Sequence, residues 1–344
     1  MTIAPIQGPL TPQLIVPVTP VRPAMPVVPV SSPSIEIGSG QIPPNVMIAQ
    51  TLQAAAVKQG GLAPLMADLA QAAGNPNLPS PVRSAAARVL AQGVPADARL
   101  TAPDIARALA RSGLFMEANL AARPQASPVG QDMKAGLLIL QQALGSWLAG
   151  APRGPVARNS AKTPPPPYRA GSTKAQPSAA PSLPSDAAPS QVGQRLKTET
   201  EAALARQELL QIASLPSEDP AEAQVTRWMF EMPLMTPQGA SVAQFEISRD
   251  ARAATAAEGQ AWRVAFSLDI EPLGPIHARV ALVGEQAIVS LWAERESGLI
   301  RLREGEQALS QALARVSFRA EIAVHSGAPP GAAPEVGQLV DQTS

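Results

Sequence analysis

Few side chains in this sequence could do chemistry. It has two histidines, His277 and His325, and no cysteine, which excludes a disulfide scaffold and a cysteine-ligated metal. Asp269 and Glu271 stand two apart in an alternating run, so a strand would carry both on one face, a spacing open to paired carboxylates. A solvated strand face is the simpler account of that pair. The same holds for His277, whose parity puts it opposite the apolar positions of its run. Glu294, Arg295 and Glu296 read as a charged cap, with a docking surface as the alternative. No Gly-rich phosphate loop, serine nucleophile elbow, HExxH or Cys/His cluster occurs in the sequence. Trp228, Trp262 and Trp292 serve as core or edge anchors before they serve as ligand stackers. The reading is a non-enzyme without cofactor or metal.

The stretch 262–295 must position these residues. Trp262, Val264, Phe266, Leu268 and Ile270 fall on every second position, which points one strand face at a core. The sequence EPLGP then makes a rigid corner. Pro272 and Pro275 cannot donate to a ladder, and Gly274 reaches backbone angles that other residues avoid. A second strand places Ile276, Ala278, Val280 and Leu282 on one face. Gly284-Glu285-Gln286 returns the chain into a third, 287–293. Upstream, Trp228, Phe230, Met232 and Leu234 alternate. A turn at Thr236-Pro237-Gln238-Gly239 leads into Ala243, Phe245 and Ile247, and the polar stretch 248–259 reads as a mobile loop. Downstream, Leu299, Leu302, Leu309, Leu313 and Val316 predict a helix over 297–316. Gly305 predicts a frayed or kinked first half, because a mid-helix glycine costs roughly 1 kcal/mol relative to alanine. A last strand over 318–324 closes the sheet. The expected fold class is α+β: a small C-terminal domain, 225–326, of antiparallel β-meander plus one amphipathic helix.

The run LDIEPLGPIHARVALVGEQAIVSLWAER, followed by this leucine-spaced helix, resembles the C-terminal domain of the bacterial flagellar hook-length control protein. That family carries a strand, a Leu-Gly-x-(Val/Ile) corner, a second strand, a hairpin, a third strand and an amphipathic helix. The family turns from helix to last strand through a glycine, whereas 315–318 here contains none. The resemblance implies that Leu273, Gly274, Pro275, Ile276 and Ala278 form the partner-binding site. It implies as partner the cytoplasmic domain of the flagellar export switch protein, together with hook and hook-cap proteins. It further implies export through the flagellar type III apparatus from the cytoplasm, without a cleaved signal.

The rest of the chain differs in composition. With 38 prolines, 24 glycines and 3% aromatic residues in 344, much of it is expected to bury too little apolar surface to offset its conformational entropy. The expectation is a largely disordered Pro/Ala-rich region with short helices. Residues 1–44 read as extended proline-rich tail, 45–148 as an Ala/Leu-rich helical segment, and 149–224 as a proline-rich linker with a short helix near 192–212. In that helix Leu196, Leu204 and Leu210 look too sparse for a clear buried face. Phe115, Leu114, Leu120, Leu137, Leu138 and Leu140, in segments that also resemble a helical part of some hook-length control proteins, are expected to pack. The tail 327–344 reads as disordered.

Zero net charge gives no basic footprint for nucleic acid, and no apolar stretch approaches a membrane span, so neither nucleic acid binding nor membrane insertion is expected. The N-terminus lacks the basic region of a secretory signal. A monomer is expected. Under the resemblance, the N-terminal part reports hook length while threaded extended at ~3.3 Å per residue, and the C-terminal domain switches export specificity at the gate. Two other readings stand beside it: a proline-rich adaptor of the cell envelope, and an enzyme with a degenerate site around Asp269, Glu271 and His277.

Overall fold

The computed structural model describes residues 44–97, 100–122, 131–150, 163–169, 171–184, 186–217, 219, 223–250 and 261–330. The alternating runs of the C-terminal third form the strands β2 (Val225–Thr236), β3 (Gly239–Asp250), β4 (Ala261–Ile270), β5 (Gly274–Val283) and β6 (Gln286–Ala293), each antiparallel to the next. The register sets Phe230 opposite Phe245, Phe245 opposite Phe266, and Phe266 opposite Ala278. The phenylalanine rings stack at centroid separations of 4.9 and 5.3 Å along one face. The sheet is mixed, because β7 (Arg319–Ser326) returns parallel to β6 after helix α8 (Glu296–Arg315), and the two-residue β1 (Val94–Pro95) lies parallel to β2. Strand order is β1 to β7 in sequence.

Each face of the sheet has its own cover. On the phenylalanine face, Leu302, Leu309 and Leu313 of α8 pack on Ala278, Val289 and Leu291, while Ala108 and Leu109 of α4 (Ala102–Ala110) join Phe230 and Met232. On the opposite face lies a helical layer of α2 (Leu62–Ala73), α3 (Ser80–Leu90), α6 (Met133–Leu148) and α7 (Pro189–Ala213), whose leucines enclose Ala240 and Val242 of β3. Helix α1 (Pro44–Lys58) packs on α7 through Ala55 and Leu209, and α5 (Met116–Ala122) precedes α6. All described residues fall in one compact unit.

The α+β class holds, but the small one-helix domain does not. Eight helices surround the sheet among the described residues. Of the residues expected to pack in the helical segment, Leu137 and Leu140 are buried, Leu114, Phe115 and Leu120 are partly buried, and Leu138 is 40% exposed. Helix α7 buries Leu196, Leu204, Leu209 and Leu210 together with Thr200, Arg206 and Gln207. A helix contacted on several sides shows no single apolar stripe, which is why its leucines looked too sparse.

The expected linker is also structured where it is described. Beyond the last β3–β4 pair, Gln244 with Ser267, β3 has an edge at Val242 that β4 does not pair. There Gln176 takes that edge with two backbone hydrogen bonds of 2.9 Å. Leu183 is buried in the helical core, and Ser182 is held by Asp68. This strap stays down through backbone pairing and side-chain amides, which composition does not reveal.

Two glycine expectations meet different outcomes. Helix α8 runs unbroken past Gly305, where a Cβ would meet nothing within 4 Å. The missing glycine after α8 is replaced by Ser317, which adopts φ 68°. Phe318 N–H then closes on the Leu313 carbonyl at 3.0 Å, a helix C-cap made without glycine. Of the expected tail 1–44 only Pro44 is described, as the start of α1. Of the expected loop 248–259, residues 248–250 belong to β3, where they pair with both neighbouring strands. Of the expected tail 327–344, residues 327–330 are described, and the remaining residues of all three segments lie outside the described ones.

Candidate functional site

The turn between β4 and β5 is closed by a 2.8 Å bond from Leu273 N–H to the Ile270 carbonyl. Gly274 has φ +73°, which glycine adopts without strain. A Cβ there would also press into the Arg295 side chain at 2.5 Å. The start of α8 braces the turn from below. Ser297 Oγ donates to the Pro272 carbonyl at 3.0 Å, Arg295 pairs with Glu271 at 2.7 Å, and Glu294 N–H donates to the Pro275 carbonyl at 3.1 Å. The corner and the helix N-terminus are therefore one rigid piece.

The five residues singled out in the sequence divide into two groups. Leu273 and Pro275 are half-buried and, beside the exposed Glu271 and Pro272, which are not among the five, form the surface of the corner. Gly274, Ile276 and Ala278 are buried. Ala278 lies in the core under α8. The last three set where the corner stands and cannot meet a partner while the domain is folded.

The carboxyls of Asp269 and Glu271 are shifted in opposite directions. The Arg295 guanidinium, by hydrogen bond and charge, holds the Glu271 carboxyl below its ordinary value. Burial pushes Asp269 up, Arg295 opposes this, and the charges of Glu271 and Glu294 add to the rise.

His277 departs from expectation. It is buried rather than solvated: Nδ1 lies 2.7 Å from Ser267 Oγ, and Nε2 lies 2.9 Å from Glu294 Oε1. Ser267 Oγ in turn lies 2.7 Å from Thr173 Oγ1 and 2.9 Å from the Thr173 carbonyl. A serine, a histidine and a carboxylate in a row are the components of a nucleophilic triad. Ser267, however, is fully buried beneath the strap, so no substrate carbonyl can reach it. The row pins the strap to β4 and β5. Thr173 was not foreseen, because it joins this row only through a contact spanning 94 positions, whereas Ser267 stands directly opposite His277 in the β4–β5 register, a local pairing that the strand reading could have shown.

The second histidine, His325, stacks on Trp292 at 5.3 Å. No cluster of three or more potential metal ligands occurs among the described residues. No helix of the described residues is long and apolar enough to cross a membrane.

Fold and site together define a mixed-sheet α+β module that presents a braced corner beside the start of an amphipathic helix. Residues 250–333 match the family model of the flagellar hook-length control protein FliK, which places that family's domain in the C-terminal part of this chain. The matched span contains β4 to β7, α8 and the corner. No curated protein and no solved structure matches the chain.

Proposed function

We propose that the protein controls flagellar hook length by changing the substrate specificity of type III export when its C-terminal domain meets the cytoplasmic domain of the export switch protein. The family match over 250–333 carries this reading. The exposed corner, fixed by Arg295–Glu271 and Ser297–Pro272, is the surface offered to that partner. Leu273 and Pro275 make the contact, with Pro272 at its edge. Gly274, Ile276 and Ala278 position them. In the same reading the chain leaves the cytoplasm unfolded through the export apparatus, interacting with hook and hook-cap proteins, and the segment before β2 acts as the length-reporting ruler.

A titration of the full chain against the cytoplasmic domain of the export switch protein tests the contact. Saturable binding that weakens at least tenfold in Leu273→Glu, with unchanged circular dichroism, supports the reading. Wild-type binding that Leu273→Glu leaves untouched moves the contact away from the corner. Absence of binding by the folded wild-type chain removes the gate as partner and returns the domain to the adaptor class.

A further inference from the structure

Among the described residues the helical layer covers only half of the sheet face opposite the phenylalanines. Across its open half runs a trough of about 570 Å³, floored by β2 to β6. Its continuation toward His277 adds about 330 Å³, bounded by strap residues 171–173 on one side and Pro329 and Pro330 on the other.

The register explains what the trough presents. Arg227 pairs with Ser248, Ser248 with Arg263, Arg263 with Ala281, and Ala281 with Ile288, so these five form one row across the sheet. In the adjacent row Glu246 pairs with Ala265, and Ala265 with Arg279. Among the described residues three arginines thus line the trough against one lining acid, Glu246, with Asp250 at its edge. Glu246 is ion-paired with Arg227. The Nε of Arg227 is buried and has no hydrogen-bond partner. Arg263 is 59% exposed on its side chain and forms a long salt bridge of 3.7 Å with Asp250, so it keeps donors facing the trough. Arg279 lies over the Trp292 ring at 5.5 Å and gives a 2.9 Å hydrogen bond to the Pro330 carbonyl. A carbonyl is a weaker partner for guanidinium than a carboxylate. Its presence shows that a backbone carbonyl fits beside Arg279. At the β6 end of the row the polarity reverses, since Ile288 is 45% exposed.

We propose that this trough binds an extended acidic segment of a partner protein, laid across the strands with its carboxylates at Arg227, Arg263 and Arg279 and an apolar side chain over Ile288. Four strand spacings of ~4.8 Å separate β2 from β6, which about six extended residues span at ~3.3 Å each. Charge fixes the class of occupant, because an excess of guanidinium groups selects carboxylates. The exposed isoleucine fixes its direction. This surface lies away from the corner and does not depend on the switching role.

The test uses the full chain and a fluorescein-labelled octapeptide alternating Glu and Val, with its Gln-Val counterpart as reference. Expected is saturable binding at least tenfold tighter for the Glu peptide, weakening as salt screens the charges. Arg279→Gln should loosen it at least fivefold, and Arg301→Gln on α8 should leave it unchanged. Ile288→Glu, made at an exposed position that folding tolerates, should also loosen it by placing a like charge in the path. Equal binding of both peptides, or an affinity indifferent to Arg279→Gln and Ile288→Glu, overturns the proposal. Binding only by a chain truncated after Pro330 also overturns it, assigning the trough to the chain's own residues 331–344, which contain Glu335 and Asp341 and no basic residue.

Discussion

The Leu273 carbonyl sits directly over Gly298, where a Cβ would come within 2.8 Å of the oxygen. Backbone packs on backbone at this point, so the first turn of α8 approaches the corner more closely than any side chain allows. Gly298→Ala should therefore cost about 1–3 kcal/mol, the usual penalty for overpacking a closed contact. Gly305→Ala lies in the same helix in open space and should stabilise by up to ~1 kcal/mol, its gain in helix propensity. Urea midpoints of the two variants should move in opposite directions, and a common direction would refute the close-packing account.

Ser317 supplies the left-handed residue that ends α8. A non-glycine residue in that conformation costs roughly 1–2 kcal/mol, less when a short polar side chain bonds locally. Ser317→Gly should raise the thermal midpoint by relieving part of that cost, about 1 kcal/mol. Ser317→Val should lower it, since a β-branched side chain is least suited to positive φ.

Arg206 and Glu231 form a buried ion pair at 2.6 Å, each side chain 1% exposed. Gln59 Oε1 and the Pro165 carbonyl accept from Arg206, and Gln176 Nε2 donates to Glu231. This network ties the end of α1, α7, β2 and the strap to one point. Arg206→Met should cost about 3–5 kcal/mol by leaving a buried carboxylate uncompensated. The double variant Arg206→Met/Glu231→Gln should cost less than the two single changes added together. A urea double-mutant cycle measures that coupling, and strict additivity would show the pair to be energetically independent.

The legible parts of this fold are the local ones. Alternation from Trp228 to Ile247 and from Trp262 to Ala293 marks strands because apolar side chains recur on the phenylalanine face, and the leucine spacing of α8 marks a helix with one apolar side. The corner was legible too, since Gly274 and the flanking prolines restrict its backbone. Burial by distant segments was not. His277 has the parity of a solvent-facing residue and is nonetheless buried, held between Ser267, which Thr173 of the strap caps, and Glu294. Helix α7 is surrounded, so its pattern lacks a stripe. The division of the corner into contact and positioning residues also needed three dimensions: alternation shows that Ile276 and Ala278 share a face, while α8 decides that the face is closed.

Glu199 on α7 should give the protein a stability that falls between mildly acidic and mildly basic pH. Its carboxyl is pushed up to about 7, mainly by burial and next by the nearby Asp68 charge, while Arg195 at 2.9 Å pulls the other way. The folded protein therefore binds a proton there more tightly than the unfolded chain, whose glutamate titrates near 4.5. That preference stabilises the fold fully below about pH 4.5 and is lost as pH rises through about 7. The gap corresponds to roughly 3 kcal/mol as a ceiling. Urea midpoints at pH 5 and pH 8 should show the wild type less stable at pH 8. Glu199→Gln, which stays neutral, should flatten most of that difference. A pH dependence unchanged by the substitution would mean that Arg195 holds the carboxylate charged in the fold, and that the loss arises at other groups.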